Sequence, residues 1–122
     1  MSRRSSARWD AVEVAAENKR PTIKSDVWSM AMVVIEVATG QAPFSHLRSE
    51  YHVVDQVAKK TRPERPPGNI WISDDLWEIM SRCWSAKPSA RPDIAEVLER
   101  LQEEDAAYVR SQDKKNTTKN LI

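Results

Sequence analysis

Lys24-Ser25-Asp26-Val27-Trp28-Ser29-Met30-Ala31-Met32-Val33-Val34-Ile35-Glu36-Val37-Ala38-Thr39-Gly40 is the stretch whose reading decides the fold. Val27, Trp28, Met30, Met32, Val33, Val34, Ile35 and Val37 leave almost no polar face on a helix built over 25–39. The Val and Ile run would also suit a buried strand. Its length favours a helix, and so does Gly40 directly after it, where a helix C-cap needs positive φ. A helix apolar on nearly every side belongs in the centre of something larger. Asp26 at its head reads as a capping carboxylate. The longest apolar run, 27–38, includes Ser29 and Glu36 and is too short to span a bilayer.

Working outward, 10–18 can form a short helix that stops before Pro21. Ser49 can cap a helix over 49–60 with Val53, Val54 and Val57 inward. Arg62-Pro63-Glu64-Arg65-Pro66-Pro67-Gly68 is a stiff connector that no helix can cross. It also contains P-x-x-P, a possible SH3 ligand, although a rigid loop needs no partner. Ser73 with Asp74 and Asp75 reads as a strong N-cap, with carboxylates at the positive end of the helix dipole. The helix it opens places Leu76, Ile79, Met80 and Cys83 on one stripe. Asp93 and Glu96 resemble a capping box before a second stripe, Ile94, Val97, Leu98 and Leu101. Residues 1–7 read as a flexible start, and 105–122, which lose the period, as a disordered tail. The sum is an all-α chain of four main helices.

Composition narrows the chemistry. The 122 residues carry 19 Lys and Arg against 18 Asp and Glu, so no global field draws in nucleic acid or an anionic membrane. One cysteine, Cys83, forms no internal disulfide, and no signal-like apolar segment opens the chain, so the expectation is a cytoplasmic protein. Two glycines, Gly40 and Gly68, cannot build G-x-G-x-x-G, and they lie too far apart for G-x-x-x-x-G-K-[ST]. His46, His52 and Cys83 fall short of a zinc set, and Cys83 lies on a core stripe without a base to activate it.

Taken together, the segments resemble one family. Lys24-Ser25-Asp26-Val27-Trp28-Ser29-Met30 is similar to the K-S-D-V-W-S-[FY] opening of helix F in eukaryotic protein kinases. Ile35-Glu36-Val37-Ala38-Thr39-Gly40 with Pro43-Phe44 resembles the E-x-x-T-G-x-x-P-[FY] that follows it. Arg62-Pro63-Glu64-Arg65-Pro66 resembles the R-P-x-x-P after helix G in the tyrosine and tyrosine-kinase-like groups. Leu76-Trp77-Glu78-Ile79-Met80 with Arg82-Cys83-Trp84 is similar to helix H, and Pro88-Ser89-Ala90-Arg91-Pro92 to the P-x-x-R-P before helix I. Arg8-Trp9-Asp10-Ala11-Val12-Glu13 resembles R-W-x-A-P-E, the end of the activation segment, with Val12 where the family has proline.

The resemblance spans 8–104 and implies part of the helical lobe, helices F, G, H and I. It implies that Glu13 and Arg91 form a buried ion pair tying the activation segment to the H–I turn. Asp26 matches the helix F aspartate that holds the catalytic loop, and Val33 and Val37 match the sites supporting the hydrophobic spine. Arg8 and Trp9 match the loop receiving the substrate residue after the phosphoacceptor. The family activity is phosphoryl transfer from ATP, with magnesium, to a protein Ser, Thr or Tyr hydroxyl. The 122 residues contain no lysine-bearing strand, H-R-D or D-F-G motif, so no cofactor and no catalytic residue is expected in them. The expectation is therefore a catalytically incomplete piece of a kinase, or else a non-catalytic module docking proteins through its helix G surface. Self-association through the apolar face of 25–39 is expected as well.

Overall fold

The computed structural model describes residues 6–68 and 72–120. The helices run in the order α1 (Val12–Ala15), α2 (Ile23–Thr39), α3 (Glu50–Ala58), α4 (Asp74–Cys83) and α5 (Ile94–Asn120), with a 3-10 turn at Pro88–Ala90. No strand occurs among the described residues, and the all-α reading stands.

α2 starts earlier than the sequence suggested, because Thr22 and not Asp26 caps it. The Thr22 hydroxyl accepts from the Ser25 amide at 3.2 Å, and the Ser25 hydroxyl accepts from the Thr22 amide at 2.6 Å. These reciprocal bonds satisfy two backbone donors that a lone carboxylate would leave to water. Gly40 closes the helix at φ 73°, its amide donating to the Glu36 carbonyl at 2.7 Å. Val27, Trp28, Ala31, Met32 and Ile35 bury one face, whereas Ile23, Val33 and Val37 remain exposed on the rest.

α4 lies between α2 and α5 and packs against both. The Ser73 hydroxyl accepts from the Leu76 amide at 3.1 Å, as its cap position requires. Leu76, Ile79, Met80 and Cys83 are all buried, so the stripe faces the core. Together with Trp28, Met32 and Val53 these side chains fill the centre, each aliphatic or aromatic one contributing about 1.5–3 kcal/mol on burial. Burial also pushes the Cys83 thiol up to about 11.

Several expectations change. The helix over 10–18 contracts to Val12–Ala15, since Asn18 adopts φ 56° and Asp10 is held in a turn by the Ser6 hydroxyl at 3.0 Å. Of the flexible start, 1–5 lie outside the described residues, and Ser6 belongs to that turn. The helix over 49–60 stops at Ala58, because Lys60 turns left-handed at φ 73° and the Thr61 amide reaches back to the Gln56 carbonyl at 2.9 Å. Ser49 precedes α3 without a side-chain cap bond. Asp93 and Glu96 form no mutual cap: Asp93 accepts from Lys24 and Glu96 from Arg82, each at 2.9 Å.

α5 departs furthest from the reading. The tail expected to be disordered from 105 is helical through Asn120, and 121–122 lie outside the described residues. It lacks Gly and Pro, and Ala106, Ala107, Arg110, Gln112, Lys114 and Lys115 favour helix without any buried face. A lost period reports lost burial and not lost helicity, and here the described side chains of 105–116 are exposed except for Gln112. Only Val97 of the second stripe is fully buried; Leu101 is partly covered, while Ile94 and Leu98 are 40% and 48% exposed.

Candidate functional site

Residues 8–15 are an irregular segment with one short turn of helix; Ala11 is buried in the core, and Trp9, Val12 and Val14 pack against it. Side-chain bonds to distant elements fix the segment further. Arg91, on the loop before α5, has a fully buried side chain. Its Nη2 donates to Glu13 Oε1 at 2.7 Å and its Nη1 to Glu13 Oε2 at 2.8 Å, a fork-on-fork geometry that only arginine offers. The remaining donors reach the Ser85 carbonyl at 3.0 Å and the Lys24 carbonyl at 3.1 Å. Burial pushes the Glu13 carboxyl up, but the Arg91 hydrogen bond, a local backbone bond and the Arg91 and Lys19 charges outweigh it, so it titrates below its ordinary value.

Arg8 holds the other end of the segment. Its Nε pairs with Glu50 at 2.9 Å, Nη1 donates to the Phe44 and Pro43 carbonyls at 2.6 and 3.3 Å, and Nη2 to the Leu47 carbonyl at 2.6 Å. Phe44 is in left-handed conformation at φ 56°, a costly geometry for a bulky residue of about 1–3 kcal/mol. The Arg8 fork and the buried phenyl ring over-determine that turn. Trp9 is fastened at both ends, its indole donating to Glu36 at 3.1 Å and its carbonyl accepting from the Ser29 hydroxyl at 2.9 Å.

The structure therefore brings Glu13 to Arg91 across 78 positions of sequence, Arg8 onto the α2–α3 connection and Trp9 onto α2 itself. Asp26 stays apart. It is exposed in the first turn of α2 with no partner among the described residues. Val33 and Val37 are 47% and 79% exposed on the same open side of that helix. Val12, in the place of proline, begins α1 and packs partly buried against the core.

Three further residues share this construction. Lys24 donates to the Arg91 carbonyl at 2.8 Å and to Asp93 at 2.9 Å, which draws the Asp93 carboxyl below its ordinary value. Arg62 lies over the Trp28 ring at 4.7 Å and Arg91 at 5.0 Å, placing two cations on one buried indole. Arg62 also donates to the Trp84 carbonyl at 2.7 Å and the Val57 carbonyl at 3.0 Å, so the 62–68 connector is anchored within the chain. Glu50 answers Arg8. No sequence period marks these partners, because each pairing is set by the tertiary fold.

Among the described residues no three His, Cys, Asp or Glu side chains lie close enough together to share a metal ion. An open cleft of about 430 Å³ lies between the end of α2 and the 61–64 connector, lined by Thr39, Phe44, His46 and Arg62 among others. No helix among the described residues is long and apolar enough to cross a membrane.

A family model for protein tyrosine and serine/threonine kinases matches residues 1–101. The chain belongs to the protein kinase family. It is 36% identical over 96 residues to the mouse serine/threonine-protein kinase TNNI3K, covering 79% of this chain and 11% of that protein. It is 36% identical over 96 residues to serine/threonine-protein kinase STY17 of Arabidopsis thaliana, covering 79% of this chain and 16% of that one. The tyrosine-protein kinase transforming protein Abl of Abelson murine leukemia virus is 37% identical over 91 residues, 74% of this chain and 12% of its own length. The chain thus spans under a fifth of these kinases. Its relatives include both serine/threonine and tyrosine kinases, as the tyrosine-kinase-like resemblance implied.

Proposed function

We propose that these residues are the helical scaffold of a kinase that transfers the ATP γ-phosphoryl group to a protein hydroxyl, and that the 122 residues alone perform no transfer. The observation carrying this reading is the buried Glu13–Arg91 fork at 2.7 and 2.8 Å, which secures a segment with no chemistry of its own. In this role Glu13 and Arg91 anchor the end of the activation segment, and Arg8 and Trp9 shape the loop facing substrate. Asp26, Val33 and Val37 present an open face suited to the catalytic loop and the spine of the intact lobe. Phosphoryl transfer requires positioned cations around the developing charge, and the lysine and magnesium ligands that supply them are not among these residues.

Incubation of the purified chain with labelled ATP and a generic protein acceptor tests this directly. No incorporation above a buffer control is expected; turnover that survives stringent repurification overturns it. A second reading, a non-catalytic docking module, is favoured by α3, whose Tyr51 is 90% exposed. In-frame H-R-D and D-F-G codons upstream in the transcript support the scaffold, and their absence supports the module.

A further inference from the structure

We infer that the cleft between the end of α2 and the 61–64 connector is a binding site for a small organic carboxylate, gripped by the free end of the Arg62 guanidinium. The inference goes beyond the kinase reading and does not depend on it. Its starting point is a charge imbalance. Arg62 and Arg91 stand on the same buried indole of Trp28 at 4.7 and 5.0 Å, and Glu13 spends both of its oxygens on Arg91. Arg62 pairs with no carboxylate among the described residues. Burial first, and then the Arg91 charge, lower its guanidinium below the ordinary value, and no acidic neighbour offsets them. A half-buried cation without a counter-charge is costly, so an anion that can reach it gains what the fold leaves unmatched.

The geometry leaves the approach open. Arg62 Nε donates to the Trp84 carbonyl at 2.7 Å, and Nη1 to the Val57 and Thr61 carbonyls at 3.0 and 2.9 Å. Nη2 keeps no partner among the described residues. It is not a buried orphan, unlike the indole nitrogens of Trp28 and Trp84, so solvent reaches it. Arg62 lines the cleft, whose volume of about 430 Å³ falls within the range of small-molecule sites. The other walls choose the ligand. Ala42, Pro43, Phe44 and Pro63 offer an apolar lining that suits a compact hydrocarbon or aryl body. Glu64 lies on the same rim, and its charge disfavours a phosphate dianion more than a carboxylate bearing a single charge. One guanidinium nitrogen can donate to one carboxylate, a charge-assisted bond of the stronger kind. The site thus calls for one negative charge on an apolar body.

Titration of the isotope-labelled full chain with benzoate at constant ionic strength, followed by amide and arginine side-chain NMR, tests the assignment. Saturable shifts at residues 39–46 and 61–64 and at the Arg62 guanidinium are expected, with a dissociation constant on the order of 1 mM for so small a ligand. Benzyl alcohol, which keeps the ring and lacks the charge, should bind at least about tenfold more weakly, and so should benzoate to Arg62→Gln. Arg62 also holds three carbonyls, so that variant can unfold. Glu64→Gln, at an exposed position, avoids the difficulty and should tighten benzoate binding about threefold by removing the competing charge. The absence of saturable shifts with benzoate overturns the proposal, and so do shifts centred elsewhere on the chain. Equal binding of benzyl alcohol would show that the carboxylate is not recognised. Inorganic phosphate binding more tightly than benzoate would make this a phosphate site, and a Glu64→Gln affinity equal to or weaker than that of the parent would place the anion away from this rim; either result refutes the assignment.

Discussion

Replacing Glu13 by Gln keeps the shape of the side chain and removes its charge from beside a fully buried guanidinium. Arg91 then retains its bonds to the Ser85 and Lys24 carbonyls but has lost its counter-charge, with a second cation, Arg62, across the Trp28 ring. Breaking one side of a shielded pair costs about 3–5 kcal/mol, whereas an exposed pair is worth under about 1 kcal/mol. A domain of this length holds about 5–15 kcal/mol in total. One carboxyl-to-amide change should therefore remove a large share of its stability. Urea unfolding followed by tryptophan fluorescence gives the difference. Adding Arg91→Met to Glu13→Gln should recover part of the loss, because an apolar side chain can occupy the site without an uncompensated charge. A Glu13→Gln cost below about 1 kcal/mol, or strictly additive single and double variants, would refute the buried-pair argument.

The same pair sets a pH dependence. The Glu13 carboxyl titrates lower in the folded chain than its unfolded value of about 4.3, so its contribution is complete above that value and fades as pH falls through the folded one; Glu13→Gln should flatten this acid limb of the stability profile. Arg8→Lys keeps the charge but loses the fork that holds three carbonyls, and should cost about 1.5–3 kcal/mol. Faster amide exchange confined to 43–50 would show it, and unchanged exchange there would refute the clasp. Cys83, raised to about 11 by burial, should react with a thiol reagent only as fast as the chain opens. The raised value also means stability falls as pH rises through the unfolded thiol value near 8.5, an effect that Cys83→Ala should abolish.

Helix existence was legible wherever the sequence carried a local cause. Ser73 with the Leu76, Ile79, Met80 and Cys83 stripe marks the start and the buried face of α4, because cap and period are both short-range signals. Ends were harder. Lys60 turns left-handed where glycine is the usual choice, and Thr22 outcompetes Asp26 through a bond to Ser25 that nothing in composition singles out. Helicity beyond Asp105 left no mark in the period, because an exposed helix needs no apolar face. At the site, Glu13 and Arg91 came from the resemblance, not from chemistry, since a lone Glu and a lone Arg look like surface residues. Lys24, Glu50 and Arg62 stayed hidden for the same reason: their partners are named only once the chain is folded.

The cations on Trp28 explain why residues 8–15 belong to the core rather than hang from it. Arg62 and Arg91 flank one buried ring at 4.7 and 5.0 Å, and both burial and the Arg91 charge pull the Arg62 guanidinium below its ordinary value. Two like charges in that space need a carboxylate, and Glu13 on the irregular segment supplies it at 2.7 Å. The helices around Trp28 and the loop at Val12 are thereby made interdependent. Detaching the loop would leave an unmatched charge inside the core, and disturbing the core would release the loop. In a kinase that coupling would hold the end of the activation segment at a fixed height above α2, where Arg8 grips the α2–α3 connection from its other side. On the scaffold reading proposed above, that fixed position would be what these residues offer to phosphoryl transfer.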